Sequence, residues 1–207
     1  MPLPNMRYSA LSGVQSEYFT QGLYDTVNYA AAGQQAMAFF AIPMGQAAVL
    51  TTAAGAAPAA GTIKTYRDTN MEVAGFVPDK RYEFSGMSVY FRRLDTIALA
   101  LADLVTDEVD RKRIIGGTWW RFRIGDKDVL YLPFAFVPVF NPTVFSAWAG
   151  NTIQMQGGGQ PQYGFKTPLT INPSQVIRVT LEAPGLVPIN STLDISLMLH
   201  ASMQRPV

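Results

Sequence analysis

The sequence predicts an all-β protein: an eight-stranded antiparallel jelly-roll β-sandwich with one inserted α-helix, at about 96–114. Three observations predict it. Apolar and polar residues alternate with period two along several runs, most regularly over 192–203. Clusters of Gly, Pro, Asn and Asp separate those runs. A single stretch carries apolar residues at helical spacing instead.

The elements follow in order. Residues 1–20 read as a short N-terminal arm, and 22–30 and 36–43 as two strands around Ala31, Ala32, Gly33 and Gln34. Residues 46–61 are rich in Ala, Gly and Thr, with little to bury, and read as a long loop. A broken strand is expected over 62–76, then a strand over 82–92 with aromatic residues at 82, 84, 90 and 91. Ile97, Leu101, Leu104, Val105 and Val109 recur at helical spacing, with Asp95 or Thr96 able to cap the start. Arg111, Lys112 and Arg113 suit the C-terminal end of that helix, and Gly116-Gly117 should stop it.

Residues 119–124 alternate, and the polar turn at 125–128 sends the chain back along 129–139. The stretch 150–168 contains Gly157-Gly158-Gly159 and Pro161 and reads as a second long loop. In 175–182, Ile177, Val179 and Leu181 oppose Arg178, Thr180 and Glu182. In 192–203, Leu193, Ile195, Leu197, Leu199, Ala201 and Met203 share one face. Pro184, Gly185 and Pro188 keep these two strands apart. Eight strands in one sheet-on-sheet core make 1–207 a single domain.

Composition narrows the function. The chain has no cysteine, so disulfides and thiolate metal sites are excluded. Its formal charge of +1 gives no global field for nucleic acid or an anionic membrane. No signal peptide or membrane-spanning helix is expected, and synthesis would be cytoplasmic. The one histidine, His200, lies on the polar face of the last strand, away from any nucleophile motif. Asp126 and Asp128 flank Lys127 in a turn, where aspartates satisfy local backbone donors; a weak Ca²⁺ site is the chemical alternative. Nothing selects a catalytic carboxylate pair, and Gly157-Gly158-Gly159 lacks the ending of a phosphate loop. A non-enzyme without cofactor or metal is expected.

The features that remain point to contact with other molecules. Of the 31 charged side chains, 23 lie between Lys64 and Asp128, so both flanks are nearly neutral. Soluble monomers ordinarily carry mixed charge at about a quarter of their residues. Trp119, Arg121 and Arg123 share the polar face of one strand, a pattern that fits a subunit contact better than stacked single-stranded nucleic acid. The run from Val129 to Phe140, with Phe134 and Phe136, is apolar on both faces and should need cover from the helix, a loop or a neighbouring subunit. Trp148 completes the candidate contact residues, beside the Gly/Gln/Tyr loop at 150–168.

In its strand count, its long neutral loops at 46–61 and 150–168, its inserted helix and its regular last strand ending at Gln204-Arg205-Pro206-Val207, the chain resembles the single jelly-roll coat proteins of icosahedral viruses, especially tailless bacterial and archaeal ones. The resemblance implies a capsid subunit of the virion that assembles with itself into trimers or larger capsomers and meets other virion proteins. The strongly basic N-terminal arm of many RNA-virus coats is missing, so direct nucleic-acid binding is not expected. The rival expectation is a carbohydrate- or receptor-binding sandwich module of a fibre, decoration or tail component, with Trp148 and 150–168 as its site.

Overall fold

The computed structural model describes residues 16–50, 59–74, 81–92, 101–140, 145–148, 152–155 and 162–206. In chain order these form β1 (Ser16–Tyr29), β2 (Ala36–Phe39), β3 (Ala47–Leu50), β4 (Ala59–Ile63), β5 (Arg81–Arg92), α1 (Leu101–Gly117), β6 (Trp119–Ile124) and β7 (Lys127–Pro133). A single 3₁₀ turn (Phe134–Phe136) follows, then β8 (Val139–Phe140), β9 (Phe145–Trp148), β10 (Thr152–Met155), β11 (Tyr163–Ile171), β12 (Ile177–Glu182) and β13 (Leu193–Pro206). Among the described residues the fold is all-β with one helix, as expected.

Two antiparallel sheets make the sandwich, one ordered β1-β13-β5-β11 and the other β2-β12-β6-β7. The pairings nest: β6 with β7, β5 with β11, β2 with β12 and β1 with β13. A chain folded back on itself in four nested antiparallel pairs and then rolled up has the strand order of a jelly roll. The inner faces of both sheets supply one hydrophobic core. In β13 every expected inward residue, from Leu193 to Met203 in steps of two, is buried. Each of these side chains except Ala201 contributes about 1.5–3 kcal/mol of hydrophobic free energy.

Four expectations need correction. Among the described residues of 62–76 there is no sandwich strand; after β4 the chain turns, and Thr69 and Asn70 tie it back to β1, Thr69 by an isolated bridge to Asp25. The missing sandwich strand is β11, which begins inside the stretch read as a loop, 150–168, and runs beyond it. Its register slips between Gly164 and Leu169, so Pro168 sits in an irregularity at a sheet edge, where a missing N–H is tolerated and alternation is lost. Likewise β3 and β4 pair at the two ends of 46–61. The stretch 129–139 is not one doubly covered strand: β7 ends at Pro133, a 3₁₀ turn buries Phe134, and Val129, Tyr131 and Phe136 stay exposed.

The described part of the helix runs three residues past 114, and its expected start at 95–96 lies outside the described residues. Val109, expected on its buried stripe, is exposed; among the helix residues whose burial is described, Asp110 and Ile114 are the buried ones. Asp110 accepts hydrogen bonds from the backbone N–H groups of Asn190 and Ser191 and from the Asn190 amide. It thereby fastens α1 to the β12–β13 connection at one end of the sandwich. At that end Gly33 adopts φ 86°, and a side chain there would meet the Val187 backbone at 2.8 Å. No helix among the described residues is long and apolar enough to cross a membrane.

Candidate functional site

The outer face of the β2-β12-β6-β7 sheet gathers three of the six candidate contact residues. Alternation along β6 turns Trp120 and Phe122 into the core and leaves Trp119, Arg121 and Arg123 outside. In β12, Ile177, Val179 and Leu181 point inward, and Arg178, Thr180 and Glu182 outward. The pairing places Trp119 opposite Glu182 and Arg121 opposite Thr180. On the other side Arg121 lies opposite Tyr131, and Arg123 opposite Asp128. Asp128 and Tyr131 are three positions apart and would fall on opposite faces of a regular strand. A register shift between Phe122 and Arg123 brings both to the outer face.

That shift builds a charged network. The Arg121 guanidinium grips Asp128 with two N–H donors, Nε to Oδ1 and Nη2 to Oδ2, each at 2.9 Å. Arg121 also reaches Glu182 at 3.5 Å, and Arg123 Nε stands 3.2 Å from Asp128. Glu182 accepts from Thr180 Oγ1 at 2.9 Å and from Trp119 Nε1 at 3.4 Å. The Trp119 and Tyr131 rings lie 5.8 Å apart, tilted. Hydrogen bonds from Arg121 hold the Asp128 carboxyl below the usual carboxylate range, partly opposed by desolvation. Arg121 is raised, chiefly by the same bond. A carboxylate held ionised in this way is a poor proton donor. Both Asp128 oxygens are within ion-pair distance of guanidinium nitrogens, so its oxygens serve arginine. Among the described residues no group of three or more metal-ligating side chains could hold a metal ion.

The remaining candidates separate. Phe136 is 68% exposed beside β7, on the surface as a contact residue must be. Phe134 is fully buried and belongs to the core: it packs on Trp120 at 5.2 Å and on Phe91 at 5.9 Å, because the 3₁₀ turn folds it beneath the sheet. Trp148 ends β9, which pairs with β10, and its side chain lies outside the described residues. Asp128, read from the sequence as a turn residue or weak Ca²⁺ ligand, joins this surface with Tyr131 and Glu182, none of them expected as contact residues. The alternating Glu182 was readable; Asp128 and Tyr131 depend on the register shift, which no local pattern announces.

His200 lies on the outer face of the other sheet. Its Nε2 is 2.7 Å from Ser88 Oγ, and burial pushes the imidazole down from its ordinary pKa. Among the described residues no carboxylate engages its other ring nitrogen, so nothing there would steady an imidazolium during catalysis. Nearby, Tyr24, Arg67, Ser88, Tyr90, Ser196 and Met198 line a shallow concavity of about 200 Å³. Protein-family models, curated proteins and solved structures contain no match to this chain.

Proposed function

We propose that this protein is a viral structural protein, a jelly-roll capsid subunit that assembles with itself into capsomers. One observation carries the reading: a jelly-roll sandwich leaves large apolar side chains on its surface along one sheet edge, Val129, Tyr131 and Phe136 on and just after β7. Jelly rolls recur in viral shells, where neighbouring subunits cover such edges. Trp119, Tyr131 and the Arg121 network extend the edge into a continuous face with the residue types enriched at protein interfaces. Virion residence follows from this reading, as does contact with other virion proteins.

A carbohydrate- or receptor-binding module is the second reading. The tyrosine-lined concavity between β1, β13 and β5 favours it, since aromatic faces with nearby hydroxyls suit sugar rings. Electron microscopy of the purified chain, run beside glycan-array binding, separates the two. Trimers, rings or shells are expected. A monomer that binds a glycan would move the assignment to the second reading.

A further inference from the structure

We infer that Lys64 and Asp25 form an intramolecular isopeptide bond that staples β1 to the segment following β4. The two side chains are 39 positions apart, and Lys64 Nζ lies 2.5 Å from Asp25 Oδ1. Their side chains are 2% and 0% exposed. A plain ion pair so deeply enclosed loses more hydration than its attraction readily returns. Amide formation removes both charges.

The surroundings suit the reaction. Asp25 Oδ2 accepts the Phe40 backbone N–H at 2.7 Å. Phe40 is held at φ 59°, a left-handed conformation that is costly for a bulky residue. The Thr69 hydroxyl lies beside the same carboxyl, within a segment fixed to β1 by the Asp25–Thr69 bridge. Burial raises the Asp25 pKa against the opposing pull of Lys64, which favours the protonated acid.

The step balances without a co-reactant. A proton passes from the Lys64 ammonium to Asp25 Oδ1, leaving amine and carboxylic acid. Nζ attacks Cγ while the Phe40 N–H stabilises negative charge on Oδ2, as an oxyanion donor does. The Cγ–Oδ1 bond breaks, Oδ1 leaves as water with the second proton from Nζ, and Oδ2 remains as the amide oxygen. The product closes a loop in a chain that has no cysteine for a disulfide.

Intact-mass measurement of the folded, then denatured, full chain tests this. After allowance for the initiator methionine, the expected mass falls below the sequence mass by one water. Trypsin should fail to cut at Lys64 and should yield, in place of the linear peptide 8–64, an internally looped peptide 8–67 that weighs one water less than its sequence. Lys64→Arg should return the full sequence mass with an unchanged circular dichroism spectrum. If that variant does not fold, the wild-type mass and peptide map decide alone. A folded wild-type chain at full mass, giving a free peptide that ends at Lys64, overturns the inference.

Discussion

Trp120 stands where the two sheets meet, with Phe39 and Phe134 rings each 5.2 Å away and no exposed surface. Its indole N–H finds no acceptor among the described residues. Trp120→Ala should therefore lower unfolding free energy by about 3–5 kcal/mol in denaturant titration, because it opens a cavity in a rigid core. Trp120→Phe should cost clearly less, since it also removes an unsatisfied donor. At His200 the effect is one of pH. Its folded pKa lies below the unfolded value of about 6.5, so its contribution is present above that value and is lost as pH falls through the folded one. The denaturation midpoint of wild type should fall more steeply than that of His200→Gln between about pH 8 and about pH 5. Parallel curves for the two proteins would mean that the ring is not desolvated.

Elements differ in how openly the sequence declares them. The twelve alternating residues of 192–203 mark β13 because every second side chain enters one core, and period two records that directly. β11 hides because its bulge at Gly164–Leu169 interrupts the period. Asp110 hides for another reason: among Asp107, Glu108, Arg111 and Lys112 it looks like one more solvated charge, while its partners lie 80 positions away. The outer face of β6 was legible as a set of residue types, but its partners on β7 were not, since a register shift is set by pairing rather than by composition. Asp110→Ala should leave the donors at Asn190 and Ser191 unsatisfied and destabilise by about 1–3 kcal/mol in denaturant titration. Hydrogen exchange should quicken first at those two amides. A loss confined to α1, with the 190–191 amides still protected, would show that Asp110 does not fasten the two elements.

At the scale of the molecule, the uneven charge has two sources. Much of the neutral flanking sequence is core: β13 and β12 place their apolar faces between the sheets. Among the described residues another part is uncharged surface, along β7 and its 3₁₀ turn and at Val49 and Ile63 of the β3–β4 pair. Exposed apolar side chains in such groups are costly for a monomer and ordinary at a subunit contact. Tyr131→Asp with Phe136→Asp should weaken self-association by about tenfold or more, as loss of an aromatic anchor does, and leave the unfolding midpoint near wild type. The most direct test is sedimentation velocity of the wild-type chain across a dilution series. Oligomers that dissociate only on dilution, and that the paired aspartates abolish, are the predicted result; a single monomeric species at the highest concentration would contradict the assembly role.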